Sequence, residues 1–557
     1  MSNPATYMPQ GFDAPIDLDL SKNEGRSMAK ELLSSIEDPS RLVGRYPDTS
    51  GLRARLAALH GVGVDRILVT AGGDDALSRC FMARVGTGRR VVSTSPTFEM
   101  IPRYAEQRGA DLIEVPWWIG PLPVPELVEA IDERTDAVFI VSPNNPTGGV
   151  ANEVDLLKVA AEAPLFVLDA AYVEFADTDP TPALLELDNV VVTRTMSKAY
   201  GLAGLRVGYL LGPADLVTAI GAFGNPYPVS AVSAAIAAAR LDRPVAELTG
   251  FVGEVRKERR DLTGVLTELG TRPLPSEGNF VLAEVDDAEW LVNAAASLGV
   301  GLRRFAERPG LEGAVRITAP GDGTDYQRLV ATLGASLAPE AIVFDLDGVI
   351  ADVSRSQVLA IIETARGFGV EIGVQDIERA KAEGNTNDDW ALTRALCRQA
   401  GVDADLEEVT ARFETLYQGL GGRPGLKLAE TALVDRASWQ RWASRLPLAV
   451  VTGRPLADAV EFLERFGLAD ACSALVTRED APLKPDPAPV RLALEMIGVT
   501  RAWMLGDTPD DLAAAKGAGV VPIGVIAPGD DPDTARRRLR TAARILEKTT
   551  DLEEMLR

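Results

Sequence analysis

The stretch Thr195-Met-Ser-Lys-Ala-Tyr-Gly-Leu-Ala-Gly-Leu-Arg206 sets one lysine, Lys198, between small hydroxyl residues and a glycine-rich segment, with Arg206 eight positions on. A lysine that forms a Schiff base has to be held in place and partly shielded from water, so that its amine is neutral often enough to attack. Thr195, Ser197 and Arg206 are the donor types a dianionic phosphate needs, and an arginine grips it with two parallel bonds. Lysine plus phosphate donors suggests pyridoxal phosphate. Read alone, a Ser-Lys pair is an exposed lysine in a loop that opens a helix. The stronger reading therefore needs partner motifs elsewhere, in order.

Outward from this stretch, short β-branched runs alternate with helical patterns from about residue 50 to 240: RILVTAG, RRVVSTSP, AVFIVSPN, LFVLDAAY, NVVVTRT and VGYLLG. Such runs, ending in Gly, Ser or Asn, read as a mainly parallel sheet covered on both faces. Ligands of such sheets bind at the carboxyl ends of the strands. Leu68-Val-Thr-Ala-Gly-Gly-Asp-Asp75 is a strand, a glycine turn and a helix start. The N–H groups of Gly73 and Asp74 there form an anion site, although Asp is also an ordinary N-cap. Ser142-Pro-Asn-Asn-Pro-Thr-Gly148 is a turn after a buried strand, and Leu168-Asp-Ala-Ala-Tyr172 ends another.

The segment S-K-A-Y-G-L-A-G-L-R-V-G-Y, with these partners, closely resembles the fold-type I pyridoxal-phosphate aminotransferases, nearest to the histidinol-phosphate aminotransferase family. The resemblance implies a large mixed-sheet domain (about residues 40–240) and a small α+β domain made of the N-terminal segment plus about 241–335. It implies that Lys198 is the catalytic lysine. Gly73, Asp74, Thr195, Ser197 and Arg206 would hold the cofactor phosphate, and Phe98 would stack on its ring. Asn145 and Tyr172 would contact O3′, and Asp169 would pair with the pyridinium nitrogen, keeping the ring an electron sink. Tyr46, in Arg45-Tyr46-Pro47, would reach the phosphate of a neighbouring subunit, which makes a homodimer through this domain. Asn23 would line the substrate pocket. Arg303 and Arg316, thirteen positions apart, would hold a substrate phosphate, or Arg316 an α-carboxylate; Arg304 competes with Arg303. Two departures stand out. Ala170 replaces the family's usual glutamate, and the proline-rich continuation after Asn23-Glu24 is missing.

A short joint, residues 336–340, leads into Ala341-Ile-Val-Phe-Asp-Leu-Asp-Gly-Val349, an apolar strand running into D-x-D-G. Val450-Val-Thr-Gly-Arg454, Leu483-Lys-Pro-Asp486 and Met504-Leu-Gly-Asp-Thr-Pro-Asp-Asp511 follow in order. This set resembles the four motifs of haloacid dehalogenase superfamily phosphatases, and implies a Rossmann-like domain over 341–557 with a helical cap at about 354–425. Asp345 would be the nucleophile that attacks phosphorus, and Asp347 the acid that protonates the leaving alcohol and then activates water. Thr452 and Lys484 would hold the equatorial oxygens of the phosphate. The carboxylates of Asp345 and Asp507 and the carbonyl of Asp347 would ligate Mg²⁺, supported by Asp511. Lys381, Asn385, Asn387, Asp352 and Arg355 are weighed as cap or entrance residues against a solvated loop, and Trp439 and Trp442 read as core or interface.

The bulk numbers agree. A 557-residue chain needs more than one core. Its net charge of −24 disfavours nucleic acid and anionic membranes as partners. Three widely spaced cysteines, Cys80, Cys397 and Cys472, fit a reducing cytosol, and no apolar run reaches a membrane span. His60, the single histidine, reads as the end of a helix. The expected protein is a cytoplasmic, bifunctional α/β enzyme whose substrates are small phosphorylated and amino or keto compounds. The two activities would be transamination and phosphomonoester hydrolysis, read as consecutive steps. Alternatives are a pathway for another amino alcohol or amino acid phosphate, and a decarboxylase of the phosphothreonine type joined to a phosphatase.

Overall fold

The computed structural model of the chain describes residues 10–26, 30–34, 36, 39–383 and 388–556. Lys381 has no described side chain, and Asn385 and Asn387 lie outside the described residues. Two compact units emerge. One holds Gln10, residues 20–288 and 302–328; the other holds 11–19, 289–301 and 329 onward.

The first unit is built on a seven-stranded sheet in the order Ile67–Thr70, Gly208–Leu211, Val190–Thr195, Phe166–Asp169, Thr135–Val141, Arg90–Ser95, Asp111–Pro116. All neighbours are parallel except Gly208–Leu211, which is antiparallel to both its partners. The central strands are buried along their whole length, which is why they read as unbroken apolar runs rather than alternating ones. Register brings the motif-bearing loops to one edge: Asp169 lies level with Val141 on one side and Thr193 on the other. A second, antiparallel sheet runs Arg303–Arg304, Ala314–Thr318, Phe280–Glu284, Arg272–Pro273. In it Arg303 and Arg316 are direct cross-strand partners. His60 ends the helix Ser50–His60 against a left-handed Gly61, as expected, and its ring bonds the Tyr209 hydroxyl at 2.9 Å.

The second unit carries a six-stranded, wholly parallel sheet: Ala474–Val476, Leu448–Val451, Ala341–Phe344, Ala502–Gly506, Val521–Val525, Arg544–Leu546. Strand Ala341–Phe344 lies between Leu448–Val451 and Ala502–Gly506. Asp345, Thr452 and Asp507, which follow these three strands, therefore leave the sheet side by side. Four helices, Gln357–Gly367, Val374–Glu383, Asp389–Gln399 and Leu406–Gln418, are inserted after the first strand. The antiparallel pair Ala351–Asp352 and Thr431–Ala432 closes the base of the insertion. Trp439 and Trp442 are fully buried against Phe344, so both are core.

This second core extends beyond the hydrolase-like sheet. Trp290, Ala294 and Leu298 of helix Ala288–Ser297 and its following turn, with Ala335 of helix Gly323–Leu337, pack into one apolar cluster with Trp503 and the strands around it. Trp290 meets Trp503 edge-on at 4.9 Å. Their indole N–H groups donate to the carbonyls of Ser336 and Ala335. The joint is ordered too: helix runs through Leu337, and Glu340 accepts from Arg501 at 2.7 Å. Cys80, Cys397 and Cys472 are free thiols. Among the described residues, no helix is long and apolar enough to cross a membrane.

Candidate active sites

The first unit holds a cavity of about 200 Å³ at the carboxyl edge of its large sheet. Gly73, Asp74, Phe98, Asn145, Asp169, Tyr172, Thr195, Ser197, Lys198, Arg206, Arg303 and Arg316 all line it. Ten of these twelve, Gly73 to Arg206, come from the loops and strand ends of the large sheet, while Arg303 and Arg316 come from the antiparallel sheet. Lys198 donates to the carbonyl of Lys22 at 3.0 Å and stands 5.5 Å from the Tyr172 ring centre. Arg206 takes the left-handed conformation, φ +52°, and reaches Ser197 Oγ at 3.4 Å and Asp74 at 3.3 Å. The glycines beside it are needed for two reasons: Gly72 sits at φ +84°, and a Cβ on Gly208 would lie only 2.4 Å from the Gly72 backbone. What remains is a bare-backbone hollow at the start of helix Gly73–Arg84, faced by a guanidinium.

Asp169 is the cavity's buried carboxylate. Burial first, and then the Asp74 charge, push its pKa up to about 7, against bonds from Ala171 N–H and Thr193 and the charge of Lys198. A buried carboxylate so perturbed is poised for a cation.

The opposite end is cationic. Like charges directly opposite across strands are destabilising, yet Arg303 and Arg316 stand so, and Arg308 joins them in the lining. Arg316 is buried, donating to Asn145 Oδ1 and the Ser21 carbonyl at 2.7 Å each. Glu99 lies 3.4 Å from Arg303. Arg304 is absent from the lining, which favours Arg303 of the two candidates. Glu99, Arg308, Lys22, Ser21 and Gln10 were not singled out from sequence; no local pattern marks them.

Two expected residues stand apart from this cavity. Asn23 is fully buried behind it: its amide donates to the Tyr172 hydroxyl at 3.1 Å, and its Oδ1 accepts from Thr318 at 2.7 Å. It thus stands against Tyr172 and Thr318 rather than among the lining residues named above. Tyr46 is 82% exposed, stacked on Tyr227, and lines a separate surface hollow.

In the second unit, carboxylate oxygens of Asp345, Asp507 and Asp511, all buried, lie within 4.8 Å of one another. Lys484 reaches Asp345 at 2.6 Å and Asp511 at 2.5 Å. Burial raises the Asp345 pKa well above 3.8 despite Lys484, and the neighbouring aspartates raise it further. Three buried carboxylates against one ammonium are an electrostatic deficit that a divalent cation offsets. Asp347 keeps its carboxylate out of this cluster and accepts from Arg454 and Gln357 instead. Thr452 is buried, its hydroxyl accepting from the Arg454 N–H at 3.1 Å. Asp345, Asp347, Gln357, Trp390, Tyr417, Arg454, Asp507 and Thr508 line a cavity of about 70 Å³ beside it. Asp352 and Arg355 are not in that lining. Arg454, Gln357 and Tyr417 were missed in the sequence, the last two because only folding brings the insertion over the strand ends.

Comparison with known proteins agrees with this geometry. The family "Aminotransferase class I and II" matches residues 17–333, and "haloacid dehalogenase-like hydrolase" matches 339–519. A histidinol-phosphate aminotransferase of Xanthomonas euvesicatoria pv. vesicatoria is 37% identical over 312 residues, covering 53% of this chain and 85% of the relative. An imidazoleglycerol-phosphate dehydratase of Phytophthora nicotianae is 44% identical over 197 residues, which is 34% of this chain; the match spans under half, 44%, of that relative's length. Among solved structures, the histidinol-phosphate aminotransferase of Sinorhizobium meliloti in complex with pyridoxal-5′-phosphate superposes with a TM-score of 0.54 at 25% identity, over 58% of this chain and 91% of that one. The chain thus belongs to the class I and II aminotransferases, continued from residue 339 by a haloacid dehalogenase-like hydrolase.

Proposed function

We propose that the first unit is a pyridoxal-phosphate-dependent aminotransferase for a small phosphorylated substrate of the histidinol-phosphate class, and that the hydrolase half removes a phosphate with Mg²⁺. The observation that carries the first part is one cavity with Lys198 and Asp169 at one end and Arg303, Arg308 and Arg316 at the other. The residues fit the cofactor. The hollow at Gly72 and Gly73, with Arg206, Ser197 and Thr195, suits its phosphate; Asp169 suits a protonated ring nitrogen; Asn145 and Tyr172 suit O3′; Phe98 suits the ring face. Bound there, pyridoxal phosphate supplies an electron sink for charge developing on the substrate's α-carbon. Lys198 would take up and return the proton at the substrate's α-carbon. Asp169 holds the ring nitrogen's proton, and Arg316 fixes the substrate's anion so that the α-carbon faces Lys198. Tyr46, exposed on its own chain, is read as reaching the site of a partner subunit in a homodimer.

In the hydrolase half, Asp345, Asp507 and Asp511 with the Asp347 carbonyl fit Mg²⁺, which supplies charge neutralisation that lets a phosphate approach carboxylates. Asp345 attacks phosphorus to form an aspartyl phosphate, while Lys484 and Thr452 hold the phosphoryl oxygens. Asp347 donates a proton to the leaving alcohol and then takes one from the attacking water. The steps are read as consecutive: amine installed first, phosphate removed second. Support for the substrate class, not for the order of steps, comes from the two relatives, both named for imidazole-bearing phosphates. The test supplies histidinol phosphate, 2-oxoglutarate and Mg²⁺ and scores glutamate and phosphate separately. Formation of both is expected; glutamate without phosphate, phosphate without glutamate, or CO₂ released without a keto acid would each overturn the corresponding half.

A further inference from the structure

Arg454, two residues past Thr452, is buried, and its guanidinium is divided between two duties. Its Nε and Nη2 donate to Asp347 Oδ1 at 2.8 and 2.5 Å. Its Nη1 donates to the Tyr417 hydroxyl at 3.1 Å and to Glu430 Oε2 at 3.0 Å. Glu430, also buried, accepts from the Tyr417 hydroxyl at 3.0 Å and from Ser356 Oγ at 2.8 Å on its other oxygen. The second oxygen of Asp347 accepts from Gln357 Nε2 at 3.2 Å.

The chain positions of these partners give the network its meaning. Arg454 and Asp347 follow strands of the parallel sheet. Ser356 and Gln357 stand where the chain enters the four-helix insertion, Tyr417 on its last helix, and Glu430 where the chain returns. Both oxygens of Asp347 are thus held by bonds that lead to the insertion, directly through Gln357 and indirectly through Arg454. Any pivot of the insertion about the Ala351–Asp352 and Thr431–Ala432 pair would move Tyr417 and Gln357 against groups fixed to the sheet. An arginine's rigid fork transmits such a shift where a flexible ammonium would absorb it.

We propose that Arg454 is a positioning residue that couples the orientation of Asp347 to the helical insertion, so that proton delivery to the leaving group depends on where the insertion stands. This rests on the phosphatase reading above. Removing a buried charge is costly when its partners stay behind, so a milder change is needed beside it. The test compares full-length wild type, Arg454→Lys and Tyr417→Phe with two esters: an alkyl phosphate, whose alkoxide needs a proton to leave, and p-nitrophenyl phosphate, whose phenolate does not. A positioned general acid contributes about a hundredfold or more. The kcat ratio of alkyl to aryl ester should fall by about tenfold or more in Arg454→Lys, and by about threefold or more in Tyr417→Phe, at little changed KM. Equal losses on both esters, or losses confined to KM, would overturn the coupling. Should Arg454→Lys fail to fold, Tyr417→Phe decides alone. Wild type that hydrolyses neither ester would instead sink the phosphatase reading itself.

Discussion

Replacing Trp290 by alanine should unfold the hydrolase half first, although Trp290 lies within the stretch that matches the aminotransferase family. Its side chain is 7% exposed and packs in the same cluster as Trp503, Phe344 and Trp442. Truncating a buried tryptophan costs about 3–5 kcal/mol. The lost indole bond to the Ser336 carbonyl adds about 1 kcal/mol. Against a total stability of roughly 5–15 kcal/mol for a domain, the combined loss of about 4–6 kcal/mol is large. For a unit of about 250 residues, each kcal/mol moves the midpoint by about 2–4 °C, so the expected shift is about 8–24 °C. Calorimetry of the full chain, with phosphatase activity after heating as a second reading, assigns the transition. A large protein need not unfold in two states, so transitions are compared one by one. A hydrolase transition moved by less than about 2 °C, or a loss confined to aminotransferase activity, would refute the shared core. Trp503→Ala in the same background should cost less than it does alone, because the edge-on pair is already broken.

Other outcomes follow from the same geometry. Asp345→Asn should stop phosphate release and leave amine exchange intact; Lys198→Ala should do the reverse, each measured by separate glutamate and phosphate assays. Asp169 has a native pKa of about 7 against 3.8 unfolded, so the native state holds a proton that the unfolded chain has lost. Its stabilising contribution is full below pH 4 and fades as pH rises through 7. In the cofactor-stripped chain Asp169→Asn should therefore flatten the decline in stability between about pH 4 and 7, by on the order of 4 kcal/mol at most, while amine exchange is lost. An unchanged slope in denaturant titrations would show that the carboxylate is solvated. Arg303→Met should raise KM for the phosphorylated substrate about tenfold or more by removing a charge-assisted bond, with Arg304→Met near wild type.

Both architectures were legible in the sequence because parallel, doubly covered strands leave an unmistakable mark: unbroken apolar runs that end at glycine, serine or aspartate. The motifs sit at or after those ends, and it was their resemblance to known families that singled out Lys198, Asp169, Asn145, Arg206, Asp345, Asp507 and Lys484. Folding decided what position cannot express. Asn23 was read as pocket lining, yet it is buried against Tyr172 and Thr318. The choice between Arg303 and Arg304 came from which face of a short strand meets the cavity, a parity that two adjacent arginines do not reveal. Arg308, Glu99, Gln357 and Tyr417 belong to no local pattern, because side chains brought together by loops and an insertion depend on the path of the chain through space; Arg454 ends a motif, but its partners Tyr417 and Glu430 come only with the fold. For the same reason the hydrolase core recruits Trp290 and Ala335 from beyond its own motifs: burial is settled by what packs in three dimensions, not by where one family's pattern stops.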